Sequence, residues 1–68
     1  MSKTEAILHV DATHDLTVRV GDRVRQGERL SQSPEPGARS AAPVTGIVRS
    51  IRFDPERHEF VIAIAAAQ

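Results

Sequence analysis

Leu16-Thr17-Val18-Arg19-Val20-Gly21-Asp22-Arg23-Val24-Arg25-Gln26-Gly27-Glu28-Arg29-Leu30 is the stretch that decides the fold. Leu16 to Val20 alternates apolar and polar residues, the period of a strand with one buried face. Gly21-Asp22 then reads as a tight turn, because glycine tolerates positive φ and aspartate can hydrogen-bond its own turn backbone. Arg23 to Arg25 is a brief extended piece. Gln26-Gly27-Glu28 is a second turn, and Arg29-Leu30-Ser31 opens the next strand.

Working outward, Glu5 to Val10 reads as a short strand and Asp11 to Asp15 as a turn. Ser33 to Ser40 is rich in Pro, Gly and Ser. Pro34 and Pro36 cannot donate to a sheet ladder, so this segment reads as the exposed tip of a long hairpin. Ile47 to Phe53 is β-branched and aromatic, hence a strand. Asp54 to Arg57 is a turn, with Pro55 at the favoured second position of type I. His58 to Ala66 is the last strand, with Phe60, Ile62 and Ile64 on one face and Val61, Ala63 and Ala65 on the other. No segment carries a helical period with caps. Short strands and closely spaced Gly/Pro turns predict an all-β barrel or sandwich. The expected core is Val18, Val20, Val24, Leu30, Val48, Ile51, Phe60, Ile62 and Ile64.

The chain has 68 residues, which allows one domain over 1–68, with residues 1–4 expected to fray. Nine basic and nine acidic residues cancel, so a nucleic-acid footprint is not expected. The absence of cysteine excludes disulfides, thiolate metal sites and thiol catalysis. Two phenylalanines, with no Tyr or Trp, offer no stacking platform for bases. The longest apolar run, Phe60 to Ala67, is far short of the roughly 20 residues of a membrane helix. The start, Met-Ser-Lys-Thr-Glu, lacks the apolar stretch of a signal peptide. A cytoplasmic protein is the expectation.

Two motifs carry a family likeness. Val20 to Leu30 reads V-G-D-x-V-x-x-G-x-x-L, and Ala42 to Ile51 reads A-P-x-x-G-x-V-x-x-I. This pair resembles the barrel-sandwich hybrid, the fold of biotinyl and lipoyl carrier domains, over residues 16–64. The order of the halves is most similar to the N-terminal hybrid domain of the C subunit of Rnf-type electron-transport complexes. It is also similar to the related domain in the A subunit of sodium-translocating NADH:quinone reductases. The resemblance implies a small barrel-sandwich hybrid in which each motif glycine sits at a sharp turn with no room for a Cβ. A carrier of this fold presents a lysine at a hairpin tip. The corresponding tip here, Ser33 to Ser40, offers Arg39, which cannot form the acyl amide. The only lysine is Lys3. The flavin, nucleotide and iron–sulfur domains of the longer subunits have no counterpart in this chain.

Several clusters have both a chemical and a plain structural reading. His9, Asp11, His14 and Asp15 include imidazole and carboxylate donors of the kind that bind divalent transition metals, but a site normally needs three or four converging ligands, so they read as solvated turn residues, with Asp11 or Asp15 bonding the backbone. His58 between Glu56 and Glu59 is either a pH-sensitive pair or a solvated hairpin charge set. Ser31, Ser33, Ser40 and Ser50 lack the context of a nucleophile. Arg19, Arg23, Arg25 and Arg29, with Arg49 and Arg52, form either a basic stripe for an acidic partner or a solvated face balanced by Asp22, Glu28 and Glu35. The strand from Phe60 is apolar on both faces. It is either a central core strand or an edge that pairs with a partner or a second copy.

These readings lead to no catalytic, cofactor-binding or metal-binding residue. They predict a non-catalytic protein-interaction or structural module. Its partner would be a protein or larger assembly, an electron-transfer complex by the resemblance, or RNA polymerase, where such hybrid folds occur as inserts. A homo-oligomer through the C-terminal strand is a further arrangement. The alternative is a degenerate biotinyl- or lipoyl-type carrier. Nucleic acid and membrane insertion are not expected.

Overall fold

The computed structural model describes residues 5–13, 15–32 and 41–66. Among these residues four strands form one antiparallel sheet: β1 (Glu5–Asp11), β2 (Arg23–Val24), β3 (Gly46–Asp54) and β4 (Glu59–Ala66). Their spatial order is β1-β4-β3-β2. The sheet curls into an all-β half-barrel. Pairing places β4 at its centre, with Leu8 and Ile51 flanking Ile62 and with Val10 and Phe53 flanking Phe60.

The inner face holds the core. Ile62 and Ile64 of β4 are fully buried, alongside Val10 of β1, Val24 of β2 and Val48 of β3. Leu30, Val18 and Ala42 close the cluster from the connecting segments. Leu8, Leu16, Val44, Ile51 and Phe60 pack around it, half-buried. Eight of the nine expected core residues therefore lie in or against the core. Val20 does not: it is 59% exposed. Strict alternation from Val18 would bury it, but the chain turns directly after Arg19. Val20 then occupies the second position of a turn, where a side chain points outward.

Leu16 to Val20 is accordingly not a continuous strand. Leu16 makes one antiparallel bridge to Ser31, and Arg29 makes another to Ala41. Between them lie two turns built alike. In the first, the Asp22 N–H donates to the Arg19 carbonyl (3.0 Å), and the Arg19 N–H donates to the Asp22 carboxylate (2.9 Å). In the second, Glu28 N–H donates to Arg25 carbonyl (2.8 Å), and Arg25 N–H donates to the Glu28 carboxylate (2.9 Å). Gly21 and Gly27 hold the third position with φ of 98° and 88°, as a type II turn requires.

Each turn clips onto the opposing chain in the same way. Gly21 N–H donates to Val48 carbonyl, and Val48 N–H donates back to Asp22 carbonyl (2.8 and 2.9 Å). Gly27 and Glu28 treat Ala42 identically (2.8 Å each). The sequence correlate is a six-residue repeat, Val18-Arg-Val-Gly-Asp and Val24-Arg-Gln-Gly-Glu, closed by Leu30. Each unit delivers one apolar side chain to the core: Val18, Val24 and Leu30. Residues 21–29 thus follow 41–48 antiparallel through the Arg23–Val24 pairing, the two turn clips and the Arg29–Ala41 bridge. The expected hairpin tip, Ser33 to Ser40 with Arg39, lies outside the described residues.

Candidate functional site

The glycines fall into two classes. A Cβ at Gly21 or Gly27 would meet nothing within 4 Å, so positive φ alone selects glycine there. This corrects the expectation that the turns are crowded. At Gly46 crowding does rule: a Cβ would sit 1.9 Å from the Ala65 carbonyl oxygen. Backbones of β3 and β4 come together there, so close approach along the alanine-rich strand is satisfied within the chain.

β4 is not an edge. It pairs with β1 on one side and β3 on the other. Strand addition to the C-terminal strand is thereby closed, and a contact through it would have to use its outer face. That face carries Glu5, Ile7, His9 and Asp11 of β1, then Glu59, Val61, Ala63 and Ala65 of β4. Ile47, Ser50, Arg52 and Asp54 of β3 complete it. Strands two apart in a sheet are separated by about 9–10 Å. Arg49 Nε nevertheless lies 3.6 Å from Glu5 Oε2 across β4. Alanine at positions 63 and 65 leaves room for that crossing, and Ala63 is buried beneath its surroundings.

His9 and Asp11 share this face, as a strand dictates. They do not converge as ligands. His9 Nδ1 lies 3.4 Å from Glu59 Oε1, an ion-pair separation; that buried oxygen makes no hydrogen bond. The Asp11 carboxylate accepts from the Thr13 N–H and hydroxyl, which holds the turn. Asp15 offers its backbone carbonyl to Gln32 N–H. His14 lies outside the described residues. Among the described residues no group of three possible metal ligands is found.

Glu59 thus faces His9 rather than His58. His58 is exposed, and its ring meets the Phe53 ring edge-on, with centroids 5.7 Å apart. Its φ of 55° is left-handed. It closes the four-residue connection between the paired Asp54 and Glu59. Asp54 opens that connection by accepting from Glu56 N–H (3.0 Å), and His58 gives its carbonyl to Ala12 N–H (2.9 Å). A shallow depression lies beside this hairpin, lined by Arg52, Phe53, Asp54, Pro55 and Val61.

Arg19, Arg23, Arg25, Arg29, Arg49 and Arg52 are all exposed. Asp22 and Glu28 lie among them, but their carboxylates are directed at backbone N–H groups of the turns. The stripe is therefore interleaved with acids that hold the turns as well as balance charge. Ser31 is buried and Ser50 is exposed on β3, whereas Ser33, Ser40, Glu35 and Lys3 lie outside the described residues.

The six-residue repeat of turns is the feature that residue-by-residue reading overlooks. Its signal is plain once Val18, Val24 and Leu30 are aligned. Among the described residues no helix is long and apolar enough to cross a membrane. The sequence matches no protein-family model, and no curated protein matches it.

Proposed function

We propose that the chain is a non-catalytic docking module of a larger cytoplasmic protein assembly, with the architecture of a barrel-sandwich hybrid. The reading rests on the β3–β4 hairpin. Phe53 keeps half of its surface in solvent there, on the face it shares with Phe60, and a depression lined by Arg52, Phe53, Asp54, Pro55 and Val61 lies at the same hairpin. An exposed aromatic side chain held in place by its neighbours is the anatomy of a protein-contact hot spot. Phe60, 5.9 Å from Phe53 between ring centroids, and His58 restrain it. Little ordering entropy is then lost on docking. The half-barrel is compatible with the hybrid fold, and the V-G-D and A-P-x-x-G motifs, which resemble the hybrid domain of electron-transfer subunits, support the reading. An electron-transfer complex is the assembly this reading names.

The test is capture of the tagged protein from its own cell under mild lysis, with intact-mass analysis of the bait. A stoichiometric electron-transfer subunit, an unmodified bait, and loss of capture with Phe53→Ser are the expected result. A partner retained by Phe53→Ser would remove the hairpin from the reading. An added prosthetic mass on the bait would replace it with the carrier alternative.

A further inference from the structure

The sheet ends in two unequal edges. β2 has only two residues and is flanked by the two positive-φ glycine turns. A short edge bearing arginine and bounded by turns offers little to a further strand. β1 is the opposite case. It has seven residues, and all of them pair with β4. Among the described residues no strand pairs with its other side. It contains no proline, lysine or bulge to blunt it, and its two carboxylates, Glu5 and Asp11, stand at its two ends. Ile7, near its centre, stays 53% exposed.

We infer that β1 pairs edge to edge, antiparallel, with β1 of a second copy of this chain, about a two-fold axis through Ile7. Symmetry restricts the choices. A residue whose backbone groups face the free edge must meet one of the same kind, so paired positions sum to an even number. Centring on Leu8 sets Glu5 against the partner's Asp11, and like charges directly opposite destabilise a sheet. Centring on His9 sets Ile7 against the partner's Asp11. Centring on Ile7 sets Glu5 against the partner's His9, Ala6 against the partner's Leu8, and Ile7 against the partner's Ile7.

This register joins features already present in one copy. On the outer face, the Arg49–Glu5 pair meets the partner's His9, which already faces the partner's Glu59. Basic and acidic groups then alternate along a row, twice by symmetry. On the inner face, Ala6 and Leu8, both half-buried, gain a continuous apolar neighbour. Residues on each face stay on that face, because the pairing preserves the pleat. The contact is small by the standard of stable interfaces, so the dimer is reversible and concentration-dependent. It is independent of the docking role of the hairpin.

Sedimentation equilibrium on the whole chain, up to about 1 mM, tests it. The expected result is a reversible wild-type dimer. Ile7→Lys and Ile7→Glu should each be monomeric with unchanged far-ultraviolet dichroism, since the side chain is exposed. Mixed in equal amounts, they should form a heterodimer, because position 7 is its own partner. Ile7→Cys should give a disulfide-linked dimer on oxidation, in a chain with no other cysteine. Three results would overturn the proposal: a wild-type monomer throughout, a Lys or Glu variant that dimerises as tightly as wild type, or a mixture that stays monomeric. Failure of Ile7→Cys to cross-link while folded would do the same.

Discussion

At the residue scale, glycine serves two different physical ends in one small chain. Gly21 and Gly27 occupy left-handed backbone with free space around them, so alanine there costs conformational strain only, about 1–2 kcal/mol each. Gly46 has ordinary φ but no room, and alanine must displace the β4 backbone. Urea unfolding should rank Gly46→Ala as more damaging than either turn variant. Equal losses at all three would contradict that division. Among the described residues, His58 is the one that occupies left-handed backbone without being glycine. His58→Val should lower stability by about 1 kcal/mol or more, since a β-branched side chain tolerates that region least. His58→Gly should be the more stable of the two variants, although it loses the Phe53 ring contact; thermal melts of the pair decide.

At the element scale, β3 carries an internal conflict of parity. Val48 and Ile51 are three positions apart, yet both point inward against Ile64 and Ile62. A regular strand turns residues three apart to opposite faces. The register shift between Val48 and Ser50 resolves this by inserting Arg49 as an unpaired residue. The bulge lets Ile51 and Phe53 face inward and sends Ser50 and Arg52 out. Deleting Arg49 should therefore restore strict pairing with Val48 and Ile51 two apart and both still inward, so the variant should fold, with a loss of no more than about 1–3 kcal/mol. Arg49→Ala, which removes only an exposed ion pair with Glu5, should cost less than about 1 kcal/mol. Comparing their denaturation midpoints separates the backbone role of position 49 from its side-chain role. The turns form a second element-scale device, because Asp22 and Glu28 each satisfy the N–H three residues earlier. Asp22→Ala should cost about 1 kcal/mol, and Asp22→Asn, which keeps a carbonyl acceptor, should recover much of it.

At the scale of the whole molecule, stability depends on few side chains. A domain of this length is expected to have only about 3–10 kcal/mol in total. Ile62 and Ile64 sit at the centre of the central strand with no exposed surface. Truncating either to alanine costs about 2–5 kcal/mol. Ile62→Ala should therefore leave a substantial unfolded fraction at 25 °C. Near-native stability in calorimetry would show that the core lies elsewhere. A fold with so little reserve benefits from further pairing along β1, which is the physical motive for joining two copies there.

Local chemistry made much of this architecture legible in the sequence. Gly21-Asp22 and Gly27-Glu28 announce turns whatever surrounds them, because positive φ and side-chain acceptors are properties of the residues themselves. Period-two apolarity in β4 and β-branched content in β3 likewise survive any context, and Val24, Leu30, Val48, Ile62 and Ile64 follow as core. Other features belong to the tertiary structure alone. The fate of Val20 depends on a turn whose Gly21 clips onto Val48, a residue far along the chain. The position of β4 at the centre depends on β1 arriving from the far end of the chain. His9 finds Glu59, and Arg49 finds Glu5, only because the sheet order brings distant strands together. Local sequence sets which conformations each segment prefers. Which segments become neighbours, and so which side chains meet or stay exposed, is decided by burying one apolar face of the whole sheet at once.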